Sequence, residues 1–182
     1  MIITDDLVAE LKLFIKERYK LVSFAEIFPA KRRAEGKGLS RAARGVRGKS
    51  FGEVSDLMTG FVKEKRDYES FAFSLDRLRE KQGLSPSELY KAAWIDKRLY
   101  SKIMSTGNYR PAKNTAISFG LALKLKGEEF GDFLRNAGFA LSDSLIFDLV
   151  IRFCVEREIY DLRDVNALLL QADQKTLAKE VA

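Results

Sequence analysis

Basic and hydroxyl side chains recur along one short helical segment near the middle of the chain. Their spacing puts them on one exposed edge of a helix: Lys97, Arg98, Ser101 and Lys102. An arginine there can donate two parallel hydrogen bonds to guanine, and a lysine can read a base or neutralise a phosphate. A second group in and after the following loop could hold a nucleic-acid backbone: Tyr109, Arg110 and Lys113. These residues make up a candidate nucleic-acid-binding surface.

Composition excludes most other chemistry. The chain has no histidine and a single cysteine, so the usual zinc and transition-metal ligand sets and the Ser/His/Asp and Cys/His nucleophiles cannot be built. Cys154 lies in the apolar run LIFDLVIRFCVE, which predicts a buried, unreactive thiol. Residues 43–50 match a relaxed phosphate-loop pattern, but no strand can precede them. We therefore expect no cofactor, no bound metal and no catalytic activity.

The net charge of +6 is concentrated in residues 29–50, which carry eight bases and one acid. With four glycines and no aromatic residue, this segment is predicted to be a mobile linker when unbound. Its bases could give sequence-independent affinity for DNA or RNA, or bind an acidic protein; a simple spacer is the remaining interpretation. The candidate contact residues in this basic arm are Lys31, Arg32, Arg33, Arg41, Arg44, Arg47 and Lys49.

The rest of the chain is electrically polarised. Residues 85–113 carry six bases and two acids, whereas residues 126–182 carry seven bases and eleven acids. No apolar run approaches the roughly 18 residues that span a bilayer, and the N-terminus MIITDDLVAEL carries acids where a signal peptide carries bases. We expect a cytoplasmic protein without membrane contact, associated with the nucleoid if it binds DNA.

Hydrophobic periodicity predicts an all-α protein in three parts. Residues 1–28 form an amphipathic N-terminal helix, residues 29–50 the basic linker, and residues 51–182 a helical domain. Helices are predicted for residues 51–66 and then for residues 69–82, 86–93, 97–105, 112–125, 128–137, 143–157 and 162–171. Within residues 86–125, Leu89, Ile95, Tyr100 and Ile103 supply the interior of a helix-turn-helix.

Two family resemblances accompany this pattern. The string SKIMSTGNYRPAKNTAISFGLALKL is similar to the end of the phage-repressor, or XRE, helix-turn-helix domain. Residues 71–177 resemble a helical module of bacterial proteins that is sometimes joined to a macro domain, through the segments YKAAWIDKRLYSKI, NYRP, NAGFALSDS and IYDL. The resemblance implies a λ-repressor-like bundle with additional C-terminal helices.

Two aromatic residues depart from the repressor pattern. Trp94 stands where repressors favour glycine, and Tyr90 where they favour alanine. Glycine suits the turn because it accepts a left-handed backbone without steric cost. Either the two aromatics open or tilt the helix pair, or Trp94 lies outside the left-handed position with its ring packed over the turn.

The residues support two main hypotheses for function. The first is a non-catalytic DNA-binding protein of the helix-turn-helix class, acting as a transcriptional regulator on double-stranded DNA. The alternative is a protein-interaction adaptor in a bacterial or phage effector or defence context, using the Trp94 surface or the acidic C-terminal end. RNA binding through the arm is a third. The apolar stripes of the first and last helices also suggest a homodimer.

Overall fold

This computed structural model describes residues 3–19, 50–64, 69–106 and 109–177. These residues fold into α-helices and the turns between them. No strand occurs among them, which confirms the all-α prediction. None of the helices in these ranges is long and apolar enough to cross a membrane. In chain order the helices are α1 (Asp5–Arg18), α2 (Phe51–Glu64), α3 (Phe71–Lys81), α4 (Pro86–Ala92), α5 (Lys97–Ser105), α6 (Lys113–Ala122), α7 (Gly127–Asn136), α8 (Ile146–Glu156) and α9 (Leu162–Gln171).

The chain divides into two compact units. Residues 1–20 and 69–182 form the first, and residues 21–68 form the second. Helix α2 therefore groups with the second unit, and the three-part division of the chain expected from sequence stays a prediction. Ser50 caps α2, because its hydroxyl accepts from the Glu53 N–H at 3.3 Å while the Glu53 carboxylate accepts from the Ser50 N–H at 2.7 Å. The remainder of the predicted linker lies outside the described residues.

Helix α6 is the centre of the first unit. Every residue from Ala116 to Leu121 is buried, so the helix needs cover on all sides, and α4, α7 and α9 pack against it. Gly120 permits close packing of α6 against α7, because a Cβ there would lie 2.6 Å from Cε2 of Phe130. Cys154 is buried in α8, and burial raises the pKa of its thiol to about 12, in keeping with the predicted unreactive thiol.

Helix α1 docks on α8 of its own chain. Leu11 is buried, and the Phe14 ring meets the Phe153 ring edge-on with centroids 5.3 Å apart. Arg18 pairs with Glu156 at 3.0 Å, and Arg157 pairs with Glu10. The sequence left open whether this helix packs on its own domain or on a second copy. In the structure, α1 packs on its own domain.

Shortening a buried side chain of α1 tests this docking. We expect Leu11→Ala to lower the free energy of unfolding by about 3 kcal/mol, because Leu11 is 1% exposed and the substitution leaves a cavity. Leu13→Ala is the matched control on the same helix, since Leu13 is 56% exposed and should lose less than about 1 kcal/mol. Urea denaturation followed by circular dichroism measures both. Equal losses would contradict the docking.

Candidate nucleic-acid interface

The basic side chains near residue 100 are carried by the helix pair α4–α5. Helix α4 begins with a capping box, in which the Ser85 hydroxyl accepts from the Glu88 N–H while the Glu88 carboxylate accepts from the Ser85 N–H. It ends in a Schellman motif: the Ile95 N–H donates to the Tyr90 carbonyl at 2.8 Å and the Trp94 N–H to the Lys91 carbonyl at 3.0 Å. These bonds fix the direction in which the chain enters α5.

Trp94 holds the left-handed backbone conformation at this turn, with φ of 54°. The alternative in which Trp94 lies outside that position is therefore wrong. A side chain with a Cβ costs roughly 1–2 kcal/mol in this conformation, which glycine would avoid. The tryptophan ring is half-buried and packs against the core, and this burial offsets part of the strain. The Tyr90 ring packs beside Tyr100 of α5, with centroids 5.8 Å apart.

Helix α5 divides into a buried and an exposed side. Tyr100 and Ile103 are buried in the core, and burial raises the pKa of the Tyr100 hydroxyl. Asp96 caps the helix, accepting from the Arg98 N–H at 2.7 Å. The four residues predicted to contact nucleic acid from this helix are all exposed, so the structure brings them together on one helix surface: Lys97, Arg98, Ser101 and Lys102.

The arginines of this region differ from the others in the described part of the chain. Six arginines on other elements form ion pairs with acids: Arg18, Arg77, Arg79, Arg135, Arg152 and Arg157. Arg98 and Arg110 form no ion pair with any described residue, and both are exposed. The guanidinium groups of Arg98 and Arg110 are thus left available to an outside anion.

The loop after α5 continues the same surface. The ammonium of Lys102 lies 5.4 Å from the centroid of the Tyr109 ring, a cation–π contact that links the helix to the loop. Arg110, which follows Tyr109 in the chain, is exposed, and the next residue, Pro111, is buried. The two predicted backbone-holding residues Tyr109 and Arg110 therefore adjoin the exposed end of α5.

Lys113 has a different environment from the rest of the predicted set. Its ammonium donates to the buried carboxylate of Asp148 at 2.6 Å, and the same carboxylate oxygen accepts from the Ser142 N–H at 2.8 Å. This contact ties the start of α6 to α8 and gives Lys113 a structural role. We therefore leave Lys113 out of the surface proposed below.

The seven basic residues predicted in the arm all lie outside the described residues. Their role as nucleic-acid contacts stays a prediction from charge alone: Lys31, Arg32, Arg33, Arg41, Arg44, Arg47 and Lys49.

A groove of about 930 Å³ is lined in part by Ala92 and Trp94 at the end of α4, and sequence reasoning missed most of it. Three of its lining residues have left-handed backbones without being glycine: Trp94, Lys124 and Glu158. Lys126 and Glu158 pair at 2.5 Å within it. The Tyr160 hydroxyl is buried with no hydrogen-bond partner among the described residues, and burial, aided by Glu158, raises its pKa. All three left-handed residues stand just past the last turn of a helix, at the C-terminal caps of α4, α6 and α8.

Comparison with known proteins leaves both resemblances as predictions. No family model, no curated protein and no solved structure matches the chain. Within the described ranges, no group of three or more His, Cys, Asp and Glu side chains could hold a metal ion.

Two substitutions at one position test the strained turn. Trp94→Ala and Trp94→Gly both remove the ring, but only glycine also removes the left-handed strain. We expect both variants to be less stable than the natural chain, with the glycine variant more stable than the alanine variant by about 1 kcal/mol. Urea denaturation measures the difference. An alanine variant as stable as the glycine variant would argue against the left-handed conformation.

Proposed function

We propose that this chain is a non-catalytic DNA-binding protein of the helix-turn-helix class that acts as a transcriptional regulator. The observation that carries the proposal is the pair of exposed arginines, Arg98 and Arg110, which lack an acidic partner among the described residues. An ordinary solvated surface would leave arginines unpaired in several places. Here they adjoin the exposed lysines Lys97 and Lys102.

The order of helix packing supports a λ-repressor-like arrangement. Helix α3 packs on α5 and α7, α4 packs on α5 and α6, and α6 packs on α7. Helix-turn-helix proteins place the second helix of such a pair in the major groove, while the first helix crosses the DNA backbone. In this chain α4 and α5 would take those positions, while α8 and α9 would be the additional C-terminal helices that the resemblance implies.

Electrostatics at the start of α5 also favour a binding role. Residues 96–110 carry four bases and one acid. Lys97 and Arg98 occupy the first turn, where the positive end of the helix dipole disfavours cations. Helix stability alone would favour acids there, but DNA-reading helices direct this end towards the base edges. An approaching phosphate backbone would reverse the unfavourable charge interaction.

The groove beside Trp94 favours a second candidate, a protein-interaction adaptor. It combines the half-buried Trp94 and Tyr160 with charged residues at its edge, among them Lys124 and Glu158. Protein interfaces commonly have such an aromatic centre with a polar rim. In this proposal the helix-turn-helix fold serves as a scaffold, and the basic surface of α5 has no role in binding.

Fluorescence anisotropy over a salt series separates the candidates. The full chain is titrated into random duplex DNA and into single-stranded RNA. Binding to duplex DNA that weakens steeply with salt supports the proposal, because phosphate contacts release counterions. Tighter binding to single-stranded RNA than to duplex DNA would indicate that only the basic arm contacts nucleic acid. Absence of binding to both at every salt concentration contradicts the DNA proposal and favours the adaptor.

Removing Arg98 tests base reading. A preferred duplex is first selected from a randomised library, and affinities for it and for random duplex are then compared. We expect Arg98→Ala to weaken binding to the preferred duplex by about 1–3 kcal/mol and to change binding to random duplex far less. Arg135→Ala is the matched control, because Arg135 pairs with Asp132 on α7. Equal loss on all sequences would exclude a base-reading role for Arg98.

Neutralising two arginines of the arm tests its separate contribution. We expect the double variant Arg44→Gln and Arg47→Gln to weaken binding to every duplex alike, because phosphate contacts carry no sequence information. The slope of log affinity against log salt should fall by about two, close to one for each charge removed. An unchanged slope would mean that the arm does not contact DNA.

A further inference from the structure

The carboxylate of Asp148 on α8 joins two segments that are distant in the chain. The residue is 0% exposed. Its Oδ2 atom accepts from the Lys113 ammonium at 2.6 Å and from the Ser142 N–H at 2.8 Å. An ionised carboxylate that is taken out of water is costly unless a cation and hydrogen-bond donors compensate for the lost hydration. Asp148 therefore holds both donors firmly against α8.

The side chain of Lys113 depends on Asp148 for its position. Lys113 is the first residue of α6, where the positive end of the helix dipole disfavours a cation. The residue before the helix, Ala112, makes no side-chain capping bond. Interactions local to this helix end therefore do not attract the Lys113 ammonium, and the buried carboxylate of α8 supplies the attraction.

The segment that joins Lys113 to Arg110 is stiff. Pro111 is buried, its ring fixes its own φ, and it favours an extended conformation for Arg110 before it. Ala112 is extended as well, with φ of −66° and ψ of 154°. A displacement of Lys113 is consequently transmitted to Arg110, because the two residues between them have little freedom to absorb it.

The other end of this segment is attached to α5. The Tyr109 N–H donates to the Thr106 carbonyl at 2.8 Å, and the Tyr109 ring contacts the Lys102 ammonium. Arg110 thus stands between one attachment to α5 and one to α8. Arg98 lies on α5 itself, so its position does not depend on this segment.

Building on the DNA-binding function above, we propose that Asp148 is a positioning residue for that binding. Acting through Lys113, it holds Arg110 where the guanidinium can contact a phosphate. Phosphate contacts fix the register of a protein on the duplex but carry no sequence information, so a displaced Arg110 weakens binding to every sequence alike. Helix α8, which lies outside the helix pair α4–α5, takes part in binding in this way without touching DNA.

The isosteric variant Asp148→Asn tests this positioning. Its amide oxygen can still accept from the Ser142 N–H, while the charge that attracts Lys113 is lost. We expect affinity for random duplex DNA to fall about three- to tenfold. The slope of log affinity against log salt should become shallower by about one, since one phosphate contact is lost. Removal of a carboxylate makes the protein more positive, which by itself would strengthen DNA binding, so net charge does not explain a loss.

A double-mutant cycle shows whether Asp148 acts through Arg110. In the Arg110→Ala background, Asp148→Asn should cost less than about twofold in affinity, because the contact that it positions is already gone. In the Arg98→Ala background it should keep its full effect, which makes Arg98 the matched control. Losses that simply add in the Arg110→Ala background would overturn the proposal, as would a folded Asp148→Asn variant with unchanged affinity.

Hydrogen exchange tests the positioning without DNA. In Asp148→Asn the Tyr109 N–H should exchange at least about fivefold faster, because its segment has lost one of two attachments. The Thr106 N–H, which donates to the Lys102 carbonyl, is the control and should change much less. Equal acceleration of both amides would assign Asp148 to fold stability alone, and an unchanged Tyr109 N–H would show that Asp148 does not hold the segment. Either result overturns the proposal.

A second variant covers the case in which Asp148→Asn does not fold, which far-UV circular dichroism detects. Asp148→Asn combined with Lys113→Met removes both charges, so no charge is left unpaired beside the core. It should show the same acceleration at the Tyr109 N–H, and normal protection there would overturn the proposal. If the natural chain binds no duplex DNA, the proposed function fails, while hydrogen exchange still decides whether Asp148 holds the segment.

Discussion

The burial of α6 on every side is the constraint on which the rest of the first unit depends. The residues of α6 from Ala116 to Leu121 have no exposed side chain, and such a segment is stable only if its neighbours cover it completely. Helices α4 and α7 cover part of α6, and α9 covers another part. Since α9 in turn packs on α8 and α8 carries α1, the C-terminal and N-terminal helices are integral to the bundle. The basic helix pair therefore cannot be separated from them without exposing α6.

The same packing determines which side of α5 is exposed in the candidate interface. Tyr100 and Ile103 anchor α5 in the same core, so the opposite side of α5 must face solvent. The turn before it is strained at Trp94, and packing of the surrounding helices holds it in place. A rigid, strained turn presents Lys97 and Arg98 in a fixed direction. The ion pair between Lys113 and Asp148 holds the far end of the loop, which limits how the Tyr109 and Arg110 segment can move.

Much of the fold could be predicted from sequence because local signals were unambiguous. The capping residues Ser85 and Asp96 set the starts of α4 and α5 as predicted, at residues 86 and 97. Helix α8 begins at Ile146 and not at residue 143, because Asp148 accepts from the Ser142 N–H and holds that segment in a turn. A side-chain bond to a residue six positions away leaves no periodic pattern in the sequence. The surface of α5 was predictable from spacing, whereas the missing ion pairs of Arg98 and Arg110 depend on where distant acids lie.

Because α1 docks on α8, residues 21–68 are joined at both ends to the first compact unit. Residues 1–20 and 69–182 belong to one compact unit, so residues 21–68 leave that unit and return to it. Residues 21–68 are therefore an insertion within the sequence of the first unit rather than a link between two domains. The entropic cost of joining the two ends of an inserted segment rises only slowly with its length, so changes of length there should cost the first unit little stability.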